Sequence, residues 1–295
     1  MRRRIAKSKY FMRVCYLLFF IGAFSVFLYL TFPVEDFRRR VVYEIENRTP
    51  FDADIKSIRI SPTLKLTAYG ISLSRAGKPF LDIDDLEVSS SFLDLFSDVS
   101  NLPFEAHLLG GETKGALEYD FKKEKLVGAD AKLDGINIER IMTMIPAELR
   151  KQSPLIQGII EGGFSIKLDS LSRGEFNFRI NKLGVSNIKL RNFPVPDFID
   201  MESTFKGTIS NRVTQVEELR LEGDDIHLKL TGTMPLLWKV HEGGKIDFKF
   251  KLLSVGDRLG LLRAFLTPQE DGTMGGKIVG TLINPKVVLH EKGRL

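Results

Sequence analysis

A single cysteine, Cys15, is all the thiol that 295 residues provide. It lies at the start of the one long apolar run, where it serves as a small apolar residue, so the rest of the chain can hold neither a disulfide nor a thiolate metal site. Histidine is scarce too. His107, His227, His241 and His290 have no metal-ligand spacing and read as turn or strand-surface residues. The phosphate-cradling patterns G-x-x-x-x-G-K-[ST] and G-x-G-x-x-G are absent, as are G-x-S-x-G and H-E-x-x-H. Asp84-Asp85 and Asp224-Asp225 could in principle do acid/base work, but their placement beside strands marks them as hairpin or edge residues. The expectation is therefore a non-enzymatic protein, with no catalytic residue, no cofactor and no metal.

Basic character is also in short supply once its location is considered. The formal net charge is +5. Six basic residues, Arg2, Arg3, Arg4, Lys7, Lys9 and Arg13, precede Val14, and without them 37 basic residues face 38 acidic ones. Nothing in that balance calls for nucleic acid or another polyanion.

What the chain does have is an uncharged run of 19 residues, Val14 to Phe32. As a helix it would span roughly 28 Å, close to the hydrocarbon thickness of a bilayer. The basic tail before it places the N-terminus in the cytoplasm by the positive-inside rule. A cleaved signal peptide is the rival, but the run is long for an h-region and Leu30-Thr31-Phe32-Pro33 has no small-residue cleavage site. The expected division is a cytoplasmic tail, 1–13, a transmembrane anchor, 14–32, and an exported region, 33–295. In a bacterium this means a single-pass inner-membrane protein with most of its chain in the periplasm.

After Pro33, Phe37, Val41, Val42 and Ile45 share one helical face. That stripe can be buried either on the membrane surface or on a sheet. From Ile55 onward the period becomes two. Leu64, Leu66 and Ala68, then Ile71 and Leu73, Leu86 and Val88, Phe164, Ile166 and Leu168, and Phe176, Phe178 and Ile180 alternate with polar residues. Ile188 and Leu190, Leu219 and Leu221, and Ile226, Leu228 and Leu230 continue the pattern, which is strongest at Ile246, Phe248, Phe250 and Leu252. Such runs predict antiparallel strands with one apolar face. Short helices are expected over 90–96, 137–149 and 255–266, the middle one weakened by Pro146. Glycine pairs at 110–111, 162–163, 243–244 and 275–276, and phrases such as Gly115-Ala116-Leu117, Gly207-Thr208-Ile209, Gly232-Thr233-Met234 and Gly280-Thr281-Leu282, are expected at turns and bends of one long twisted sheet. The fold class is mainly β, a transmembrane helix followed by an elongated antiparallel sheet. Asn47-Arg48-Thr49 matches a glycosylation sequon, a pattern short enough to arise by chance.

The anchor, the short helix, the phrase Gly77-Lys-Pro-Phe-Leu-Asp-Ile-Asp-Asp-Leu-Glu-Val, the segment Leu108-Leu109-Gly110-Gly111-Glu112 and the closing Gly280-Thr-Leu-Ile-Asn-Pro-Lys resemble AsmA-like proteins. Length and order most resemble the type II secretion system protein N (GspN) family of the Leptospira/Geobacter type. That resemblance implies an AsmA-like groove or half-barrel in the periplasm, association with other secretion-machinery subunits, and, by analogy with AsmA-like relatives, carriage of phospholipid. It transfers no catalytic residue. The chain is also much shorter than the large lipid-bridging relatives, so a conduit across the periplasm would need a partner to complete it.

Two functions follow as expectations. One is an accessory or structural component of type II secretion, docking subunits by sheet edges or faces. The alternative is a lipid-binding or lipid-transfer protein in which Phe164, Phe176, Phe178, Phe248 and Phe250 line a groove for acyl chains. The same five residues could instead be an ordinary core beneath a sheet.

Overall fold

The computed structural model describes residues 2–61, 65–75, 77–91, 97–144, 155–168, 172–187, 189–190, 193–194, 196–211, 213–224, 226–236, 244–256, 274–281 and 285–289. The N-terminal helix α1 runs Arg2–Thr31, through the basic tail as well as the apolar run. Its stretch Tyr10–Thr31 is 22 residues, long and apolar enough to cross a membrane, and none of it is buried within the protein. Pro33, which follows, has no N–H to donate and starts a new helix, α2 (Val34–Arg48). Glu35 and Asp36 in its first turn and Arg48 in its last oppose the helix dipole.

The sheet begins with β1 (Asp52–Ile60), β2 (Lys65–Arg75), β3 (Lys78–Ser89), β4 (Val99–Leu108), β5 (Gly111–Asp120) and β6 (Lys125–Asn137). A short helix, α3 (Ile138–Met144), leads to β7 (Leu155–Lys167) and β8 (Arg173–Ser186). Asn137 caps α3, its Oδ1 accepting from the backbone N–H of Glu139 at 2.7 Å. The two-residue strands β9 (Lys189–Leu190) and β10 (Phe193–Pro194) pair only with each other. The main sheet then resumes with β11 (Phe198–Ser210), β12 (Val213–Glu222), β13 (Ile226–Pro235), β14 (Lys245–Val255), β15 (Met274–Thr281) and β16 (Pro285–Leu289).

Fourteen strands form one open antiparallel meander in strict chain order, with β8 beside β11. The expected fold class is thus observed. At about 4.8 Å between strands the sheet extends roughly 60 Å from β1 to β16. Bulges bend it: the β8–β11 register shifts between Phe198 and Met201 and again before Ser203, near Lys182 and Asp200, whose φ angles are 52° and 55°.

Two expectations are revised by the geometry. Most of these glycines are not at turns: Gly115, Gly162, Gly163, Gly207, Gly232, Gly275, Gly276 and Gly280 lie inside strands, Gly110 and Gly111 sit at a hairpin, and Gly243 lies outside the described residues. Asp84-Asp85 is likewise inside β3, with Asp85 opposite His107 of β4. Of the expected helices, that at 137–149 is seen as α3, while 92–96, 145–149 and 257–266 lie outside the described residues, as does Asp225.

Helix α2 settles onto the sheet. Val34, Phe37, Val41, Val42 and Ile45 pack against a cluster of Ile55, Ile58, Ala68 and Ile71 on β1 and β2. The amphipathic stripe that sequence left with two possible fates is half-buried here against protein.

Candidate functional site: a charge-free strip across one face

Strand alternation sends one set of side chains to each face, and register decides which of them align across strands. The paired positions Ile58, Ala68, Leu86, Ala106, Thr113, Leu133, Gly162, Phe178, Phe205, Leu219, Leu230, Phe250, Gly276 and Leu289 form one row through all fourteen strands. A second complete row, from Ile60 and Leu66 through Phe104, Gly115, Phe164, Phe176, Gly207, Gly232 and Phe248 to Ile278 and Val287, runs beside it. Neither row contains a charged residue. Their neighbours on the other face, such as Lys249 and Lys251, are charged and exposed.

All five phenylalanines singled out from sequence belong to these rows. Phe176 (7% exposed), Phe248 (8%) and Phe250 (8%) are buried, whereas Phe164 and Phe178 are half-buried. Phe248 and Phe250 join Val216, Leu230, Met234 and Ile246 in one cluster. Phe205, not singled out from sequence, links the two groups: it packs against that cluster, and its ring centroid lies 4.7 Å from that of Phe176 and 6.4 Å from that of Phe178. Its strand was obscured because Ser203 and Gly207 interrupt the apolar alternation of Met201, Phe205 and Ile209.

The glycines explain how such large rings fit. Phe104, Phe178, Phe176, Phe248 and Phe250 each face a glycine on an adjacent strand, at 115, 162, 207, 232 and 276 respectively. A Cβ at Gly207 would stand 2.6 Å from Phe176 Cζ, and one at Gly276 would stand 2.9 Å from Phe250 Cε1. At Gly207, Gly232 and Gly276 the ring occupies space that a side chain of its partner would fill, whereas at Gly115 and Gly162 it is the neighbouring backbone that does.

Coverage of the strip is uneven. Helix α2 packs against β1 and β2, while among the described residues the Phe248 cluster is built from sheet residues alone. Among the described residues no second sheet layer packs over the rows. Thr113 and Ser203, on the same face, are buried and their hydroxyls have no hydrogen-bond partner.

The polar face holds the one group of side chains with metal-ligand chemistry among the described residues. Glu105, His107 and Glu112 bring one ligand atom each within 4.8 Å of one another. The grouping arises because His107 and Glu112 are register partners, which spacing along the chain does not reveal. Lys114 Nζ stands 2.7 Å from Glu112 Oε1 and 3.4 Å from Glu105 Oε1, and His107 Nδ1 is 2.9 Å from Asp85 Oδ1. The carboxylates are thereby already neutralised by protein cations. Asp85, by hydrogen bond and charge, holds the His107 imidazolium above its ordinary pKa, with Glu112 and Glu105 adding to the effect. This is a surface charge network. Comparison of the chain with family models, curated proteins and solved structures gives no match.

Proposed function

We propose that this protein is a membrane-anchored, non-enzymatic component of the bacterial envelope that carries acyl chains along the apolar face of its sheet. One observation carries the reading: two adjacent charge-free rows cross all fourteen strands, beginning beside the helix that follows the apolar N-terminal helix. An ordinary core needs a second layer over such a face, and among the described residues only α2, packed against β1 and β2, supplies one. Acyl chains match it chemically. A chain spanning one leaflet is about 15 Å long, so the roughly 60 Å strip has room for several. The half-buried Phe164, Phe178 and Phe205 are the contacts proposed for the chains, and the buried Phe176, Phe248 and Phe250 support them from within the sheet.

The resemblance to the type II secretion protein N family supports a second reading, a structural component of protein secretion in the inner membrane with its sheet in the periplasm. Both readings share the anchor and the topology. They differ in cargo.

Photocrosslinking with a phospholipid carrying a diazirine in its acyl chain tests the lipid reading on the full-length protein in vesicles. The expected result is crosslinks on β8, β11 and β12, lost in Phe178→Asp while the circular dichroism of the sheet is unchanged. Crosslinks confined to α1 in a folded protein would overturn it.

A further inference from the structure

The two ends of the sheet are not alike. At β1 two backbone groups are already used by α2: Arg38 Nη1 donates to the Ile55 carbonyl at 2.8 Å, and the Ala53 N–H donates to Glu46 Oε1 at 3.4 Å. Side chains of α2 therefore occupy the edge where another strand would add. At the opposite end the order closes with β16, which pairs with β15 alone among the described strands. Both apolar rows reach it in register, Gly276 facing Leu289 and Ile278 facing Val287.

The other face of that end has a distinct charge. Strands β14, β15 and β16 contain Lys245, Lys249, Lys251, Lys277 and Lys286, with Asp247 as their only acid. Beyond the basic tail, the chain as a whole is nearly balanced. The lysines are thus gathered at the far end of the sheet, on the face opposite the apolar strip.

We propose that β16 is the docking edge for a β-strand of a partner protein, one whose sequence alternates apolar residues with Asp or Glu. Added to β16, its apolar side chains prolong the two rows and its acids face Lys286 and the lysines behind it. Backbone hydrogen bonds supply affinity in such an addition, and alternate side chains supply specificity. A second copy of this chain fits poorly. Its β1 edge is occupied by α2, and its β16 would set the same lysines against these, where like charges across strands repel. The proposal rests on the edge and the lysines and stands or falls separately from lipid carriage.

The test uses the full-length protein in nanodiscs of zwitterionic lipid. Fluorescence anisotropy compares a short peptide alternating valine with glutamate against the same peptide with lysine for glutamate, and a photoreactive group on the peptide maps its contacts. The glutamate peptide is expected to bind more tightly by roughly three- to tenfold, because its acids attract Lys286 where lysines in the same positions are repelled. Its crosslinks should fall on residues 285–289, and the K277E/K286E double variant should reverse the preference. Equal affinity for the two peptides, crosslinks on β1, or dimers joined through residues 285–289 would overturn the proposal. So would binding to phosphatidylglycerol vesicles without binding to the peptide, which would make the lysines a lipid-headgroup surface. Should the double variant fail to fold, the peptide comparison and the crosslink map on the unaltered protein still decide.

Discussion

The ring of Phe248 on β14 lies over Gly232 on β13, its register partner: a Cβ on Gly232 would stand 2.8 Å from Phe248 Cδ1 and 2.7 Å from its Cα. The glycine also holds a φ of +153°, which side-chain-bearing residues rarely adopt. Absence of a side chain at one position and presence of a large one at the next form a single packing unit.

Gly232→Val should therefore overpack the sheet and lower stability by about 3 kcal/mol or more, since overpacking and backbone strain add. Gly77, in the β2–β3 turn with φ +71° and open space where a Cβ would go, has only the backbone term. Gly77→Ala should cost about 1 to 2 kcal/mol. Urea unfolding of the two variants followed by circular dichroism distinguishes them, and equal losses would contradict the ring-over-glycine account.

Phe250 and Leu253 lie three residues apart on β14 but differ sharply in exposure, 8% against 53%. Phe250→Ala should cost about 3 to 5 kcal/mol through loss of burial and a residual cavity. Leu253→Ala should stay within about 0.5 kcal/mol of the unaltered protein. The midpoints of thermal unfolding give the comparison.

Arg38→Ala leaves the Ile55 carbonyl on the β1 edge without its charged donor. The guanidinium is partly exposed, so the loss should be modest, about 1 to 2 kcal/mol. The more telling outcome is association. Sedimentation velocity should show concentration-dependent oligomers in the variant, because an unpaired edge is a template for another strand.

His107 gives a pH dependence with a defined sign. Its folded-state pKa is raised above the ordinary imidazole value of about 6.5, chiefly by the Asp85 hydrogen bond. Its stabilising contribution is fully present below that ordinary value and is lost as pH rises through the raised folded-state value. Asp85→Asn should bring the ring's titration back toward the ordinary value, read by NMR of the imidazole protons. A titration that does not move would place the cause elsewhere.

The apolar N-terminal run and the period-two alternation of β2, β8 and β14 were legible in the sequence because both are local patterns. The fate of α2 was not, since Phe37, Val41 and Ile45 can bury the same stripe in lipid headgroups or on Ile55 and Ile58, and only the folded chain decides. Glycine positions misled for a related reason. Gly162 and Gly207 read as turns or bends along the chain, while their place is inside strands, opposite Phe178 and Phe176. Register is a long-range property, and it alone reveals the unbroken rows, the bridging place of Phe205 and the meeting of His107 with Glu112.

The strict chain order of the meander has a bearing on how the protein is made. Every strand of the main sheet bonds to its predecessor, or across the short β9–β10 excursion, so none waits for a distant partner during synthesis. With such local contacts, folding can follow the chain as it emerges, from the N-terminal helices outward, each hairpin templating the next. Among the described strands β16 follows all the others, so its edge forms on a sheet already in place.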